Sequence, residues 1–103
     1  MSDPRSKDAL PRVAIAEALR VGAPGALTEE ARRAFIDDGS NMVLAELGMD
    51  SLGEMEFCIA VELKTGITLL PAELAELKST DAIEQRIRER LDEAARTGAG
   101  TAR

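Results

Sequence analysis

The run Gly48-Met49-Asp50-Ser51-Leu52-Gly53 sets a hydroxyl between a carboxylate and an apolar residue, where a loop gives way to a strongly apolar helix. A serine at a helix start meets unpaired backbone N–H groups and the positive end of the helix dipole. Two roles fit that position. Ser51 can cap the helix, because Ser51-x-x-Glu54 has the spacing of a capping box. It can instead present its hydroxyl to receive a phosphate-linked group. The local residues leave both roles open.

The rest of the chain limits what Ser51 could do. There is no histidine among the 103 residues, which removes Ser-His-Asp and Cys-His nucleophile pairs and imidazole metal sites. A serine with no base to activate it must be acted on by another enzyme. Cys58 is the sole cysteine, so no internal disulfide forms and a reducing compartment is expected. Nothing near Cys58 would lower its pKa, and it reads as a core residue. Asp37-Asp38-Gly39-Ser40-Asn41 lacks the spacing of a calcium loop and reads as a turn. A formal net charge of −6 with no tryptophan or tyrosine argues against nucleic acid and favours partners with basic patches. No stretch is apolar enough for a signal peptide or a bilayer span, so a cytoplasmic protein without a membrane partner is expected.

The elements around the serine follow from periodicity and punctuation. Residues 1–7 are polar and expected to be disordered, residues 8–95 form one domain, and residues 96–103 read as a disordered tail. Asp8 can cap a helix reaching about Val21, with Pro11 tolerated in its first turn and Leu10, Val13, Ala14, Ala18 and Val21 as its apolar stripe. Gly22-Ala23-Pro24-Gly25 ends it. The connection to Asp50 is too long to be structureless and should hold a short helix capped by Thr28, with body 29–35. Met42, Val43, Leu44 and Leu47 then return apolar groups to the core. The helix opened by Ser51 runs to about Lys64 and stops at Thr65-Gly66, a short helix covers Pro71 to Leu77, and a last one starts near Thr80-Asp81. The last helix has Ala82, Ile83, Ile87, Leu91 and Ala94 as its inner stripe. Glu84 and Arg88 make an i,i+4 pair on its outer face, and Arg86, Arg88 and Arg90 read as a solvated face. With Phe35 and Phe57 as the only aromatics, the expected architecture is all-α: a small bundle of three main helices plus a short one, with a long first loop.

Leu47-Gly48-Met49-Asp50-Ser51-Leu52, followed at the right distances by Thr65-Gly66-Ile67-Thr68-Leu69 and Leu77-Lys78-Ser79-Thr80-Asp81-Ala82-Ile83, resembles the acyl carrier protein family over about residues 42–91. The resemblance implies that Ser51 carries a covalent 4′-phosphopantetheine arm, placed there from coenzyme A by a phosphopantetheinyl transferase that reads Asp50. The chain is then not an enzyme. It is a monomeric handle whose arm holds acyl groups as thioesters and shuttles them between enzymes. Those partners would be an acyl-loading enzyme and ketosynthase- or acyltransferase-type proteins with basic patches.

The helix opened by Ser51 carries two apolar stripes, Leu52-Met55-Ile59-Leu63 and Phe57-Cys58-Val61. Periodicity does not say which faces the core. The resemblance assigns Phe57 and Val61 to the core. It assigns Leu52, Met55 and Ile59, flanked by Glu56 and Glu62, to the partner surface. Some positions depart from the family pattern. Gly53 stands where an acid is frequent, Leu63 and Lys64 replace what is often an acidic pair, Thr65 stands where an aromatic is common, and the first loop is several residues longer. These departures point away from the ordinary fatty-acid synthesis enzymes and toward polyketide or another specialised metabolite pathway. An aminoacyl or peptidyl cargo, a carrier in fatty-acid synthesis, and a non-covalent helical interaction module that uses Ser51 only as a cap, remain alternatives.

Overall fold

The computed structural model describes residues 9–97. Within them the chain forms α1 (Leu10–Gly22), α2 (Glu29–Asp38), a 3-10 turn (Leu44–Leu47), α3 (Ser51–Thr65), α4 (Pro71–Leu77) and α5 (Thr80–Thr97). The expected disordered segment 1–7 and the expected cap Asp8 lie outside the described residues. The tail begins later than expected, because α5 continues through residues 96 and 97.

Helix α1 starts with Pro11 in its first turn, where the missing N–H costs no intrahelical bond. Its buried face is rotated from the expected stripe. Ala14, Ile15, Ala18 and Leu19 are buried, whereas Val21 is 45% exposed and Val13 is half-buried. The reason is the neighbour. Helix α1 packs most extensively on α3, and in that packing Ala14 and Ala18 of the expected stripe stay buried while Ile15, Ala16 and Leu19 join them in place of Val13 and Val21.

Thr28 accepts from the Ala31 N–H at 3.0 Å and caps α2, as its position suggested. The helix outruns its expected end by three residues, so Asp37 and Asp38 are helical and the turn begins at Gly39. Phe35 buries α2's apolar face, and Arg32 ties the helix to Glu17 of α1 at 3.4 Å.

The segment before the serine is pinned to the start of α5. Met42 and Thr80 exchange backbone and side-chain bonds: the Thr80 N–H donates to the Met42 carbonyl, and the Met42 N–H to Thr80 Oγ1, both at 2.9 Å. The Asp81 N–H donates to Asn41 Oδ1 at 2.9 Å, and Val43 bridges to Ser79. This clip leaves Val43 exposed while Leu44 enters the core. The core itself gathers Ile15, Leu19, Phe35, Phe57, Val61, Leu74, Ile83 and Ile87 from all five helices.

Arg86, Arg88 and Arg90 of α5 are not a solvated face. Arg86 and Arg90 both donate to Glu73 Oε1 of α4 at 2.7 Å, and Arg90 also donates to the Thr68 carbonyl at 2.8 Å. Arg88 pairs with Glu84 at 2.8 Å, but this pair is not an outer one either. The Glu84 side chain is mostly buried and takes Arg12 of α1 at 3.3 Å. Long arginine stems lie along the bundle and bring their heads to carboxylates on other elements.

Glu73 also accepts from the Leu70 N–H at 3.1 Å, which closes the start of α4. The Arg90 hydrogen bond, opposed by burial and helped by Leu70 and Arg86, holds its carboxyl below the usual range. The folded value therefore lies under the unfolded one. The stabilisation is complete above the unfolded carboxylate pKa and is lost as pH falls through the folded value. Glu73→Gln is expected to cost about 1–3 kcal/mol at neutral pH and to flatten the acid limb of stability, measured by urea unfolding from neutral to acid pH. Parallel acid limbs in variant and wild type would contradict the clamp.

Candidate functional site

The 3-10 turn ends at Gly48, whose φ of 74° is left-handed and strained for any residue with a Cβ. The chain then reverses into extended backbone at Asp50, with φ −90° and ψ −175°. That conformation makes Asp50 the N-cap of α3. Its Oδ1 accepts from the Gly53 N–H at 2.7 Å, and its carbonyl accepts from the Glu54 N–H at 2.9 Å.

The capping role that Ser51-x-x-Glu54 suggested for Ser51 is therefore filled by its neighbour. Aspartate and serine cap equally well, and the backbone after Gly48 decides which of the two is extended. Ser51 becomes the first helical residue. Its side chain is exposed and, among the described residues, its hydroxyl bonds no other group. It lies at the positive end of a fifteen-residue helix whose first N–H groups have no intrahelical carbonyl to meet.

The question left open by the two stripes of α3 has a clear outcome. Phe57 and Val61 are fully buried and Cys58 nearly so, while Leu52, Met55, Ile59 and Leu63 are 51–83% exposed. Glu56 and Glu62 are exposed as well. An apolar band with acidic edges thus runs along the helix that Ser51 opens. Contact surfaces in general combine an apolar centre with a polar rim.

Burial pushes the Cys58 thiol up to about 11, with the Glu73 and Glu54 charges adding to the shift. A thiol so protonated is a poor nucleophile. A disulfide reagent at mildly alkaline pH is expected to leave Cys58 untouched in the native chain and to titrate one thiol in urea. Fast labelling of the native apo chain would contradict the packing.

Some features were invisible in the sequence. A pocket of about 340 Å³ opens between the 3-10 turn, the start of α3 and α4, lined by Val43, Leu44, Met49 and Leu74 with Glu54 and Lys78. Gly22 also lies against the site, close to the Gly53 carbonyl and the Met49 side chain. Among the described residues Gly22 and Gly53 are the two glycines within helices, although Gly22 reads from the sequence as part of the stop of α1.

The fold and the site together define a small all-α bundle that exposes a serine and an apolar band at the start of one central helix. No family model, curated protein or solved structure matches the chain. Among the described residues, no group of three or more Cys, Asp or Glu side chains is placed to hold a metal ion, and no helix is long and apolar enough to cross a membrane.

Proposed function

We propose that the chain is an acyl carrier protein that works in the cytoplasm and bears 4′-phosphopantetheine on Ser51. The observation that carries this reading is the division of labour at the start of α3: Asp50 caps the helix, and the exposed Ser51 hydroxyl is left without a structural task. The residues fit the group. The hydroxyl is open to solvent, the helix end favours a phosphate, and Asp50 Oδ1 accepts from the Gly53 N–H rather than from Ser51.

In the attachment, Ser51 Oγ forms the new bond to the phosphorus of the pantetheine phosphate of coenzyme A. The bond from that phosphorus to the adenosine bisphosphate portion breaks. The hydroxyl proton leaves to a base supplied by the transferase, since this chain has no histidine. When bound, the arm supplies a terminal thiol that holds an acyl group as a thioester. The chain's own contribution is to present Ser51 and to offer Leu52, Met55 and Ile59, edged by Glu56 and Glu62, to successive enzymes. Asp50 serves the transferase as well as the helix.

The departures at Gly53, Leu63 and Lys64 leave this face less acidic than one built for fatty-acid synthesis, which favours polyketide or another specialised metabolite pathway. Aminoacyl cargo fits the same site. The exposed band would also suit a non-covalent interaction module, and one experiment separates the two classes. Co-expression with a broad-specificity phosphopantetheinyl transferase, followed by intact mass, yields one added phosphopantetheine if the chain is a carrier and the bare mass if it is not.

A further inference from the structure

We propose that Gly22 is a positioning residue for Ser51, acting through a close contact with Gly53; the inference rests on the carrier reading above. Gly22 is the last residue of α1 and is buried. A Cβ there would lie 2.7 Å from the Gly53 carbonyl, 3.0 Å from Phe57 Cβ and 3.1 Å from Met49 Sδ. A Cβ on Gly53 would clash with the Gly22 carbonyl oxygen and lie 3.1 Å from Asp50 Oδ1. The residues two before and two after Ser51 are thus both seated on the same point of α1.

This arrangement explains why Gly53 carries no side chain. The obstructing atoms are a helix carbonyl and the capping carboxylate, and neither is the free end of a flexible side chain. Any side chain at 53 would lever the first turn of α3 away from α1 and strain the Asp50–Gly53 cap bond. An acid at 53 is excluded by space, so the missing charge beside Ser51 is a consequence of packing. The serine is exposed, yet its turn is held on both sides. A hydroxyl that must meet phosphorus in line gains from such holding, because a misplacement of roughly 1 Å can cost about a hundredfold in rate.

The test uses the full chain, coenzyme A and a broad-specificity transferase, with kcat and KM measured for the protein substrate. Gly53→Ala is expected to lower kcat by roughly ten- to a hundredfold while KM changes little, because Met55 and Ile59, beyond the first turn, remain in place. Ile87→Val, a distant core change, serves as the destabilised control and should alter neither constant. Wild-type kcat in folded Gly53→Ala, or equal losses in both variants, would overturn the proposal. Alanine is the better helix former, so a failure of Gly53→Ala to fold would itself report the steric contact. In that case the Gly53 amide of the wild type is followed by hydrogen exchange. Protection like that of Phe57 is expected, and exchange at the free-peptide rate would overturn the proposal. Wild-type chain that takes no arm would overturn the carrier reading and the positioning role together. That result is distinct from the one in which wild type and Gly53→Ala are modified equally.

Discussion

Ser51→Ala is expected to abolish attachment of phosphopantetheine completely while leaving the fold and its stability unchanged. The first half follows from the carrier reading: the new bond forms at Ser51 Oγ, and removing that atom leaves no acceptor. The second half follows from the observed cap. Asp50 accepts from the Gly53 N–H, so Ser51 sits one position inside the helix, exposed and unbonded. Alanine is favourable there, and the change should stay within about 0.5 kcal/mol. Were Ser51 the cap, the same substitution would cost about 1 kcal/mol. Urea unfolding of Ser51→Ala beside Asp50→Ala therefore separates the two assignments, with the loss expected only in Asp50→Ala. Attachment persisting in Ser51→Ala would mean that another hydroxyl is the acceptor.

The second large effect is a contrast between the two faces of α3. Phe57 is fully buried beneath Gly22, and Phe57→Ala is expected to cost about 3–5 kcal/mol. A domain of this size has a total stability of roughly 5–15 kcal/mol, so this variant should be partly unfolded at moderate temperature. Met55 lies two residues away on the exposed band. Met55→Glu should leave stability within about 0.5 kcal/mol and slow acyl loading or transfer by placing a charge in the apolar centre of the contact surface. Circular dichroism melting and a loading assay read the two effects separately. Loss of helical signal in Met55→Glu would put Met55 in the core and contradict the face assignment.

What the sequence made legible was largely local. Thr28, Gly66 and Pro71 each mark a helix end through their own backbone or hydroxyl, and each end falls at or within one residue of where those residues suggest. The three main helices and the short one were readable because apolar spacing, caps and breakers agree along the chain. Features that depend on a partner element were not readable. The α1 stripe was misread in part: Ala14 and Ala18 are buried as expected, but packing against the other helices also buries Ile15 and Leu19 and leaves Val21 exposed. The Glu73 clamp joins residues 13 and 17 positions apart on different helices, so the interleaving of charges along α5 placed Arg86 and Arg90 in solvent.

The site was legible to a similar depth. Spacing gave the two apolar stripes of α3 but not which of them faces the core; the resemblance put Phe57 and Val61 inside, and both are buried. The identity of the cap was not legible, because Asp50 and Ser51 are both good capping residues and a left-handed Gly48 two positions earlier decides between them. Gly53 stood out as a departure, but its cause lies on α1, thirty-one residues away in sequence.

The central claim is that Ser51 is an attachment point. The apo chain, incubated with coenzyme A and a broad-specificity phosphopantetheinyl transferase, would be digested, and the peptide containing Ser51 fragmented in a mass spectrometer. The account predicts one phosphopantetheine on Ser51 and none on any other residue. A bare Ser51 peptide, from a reaction in which a known carrier is fully modified, would contradict it.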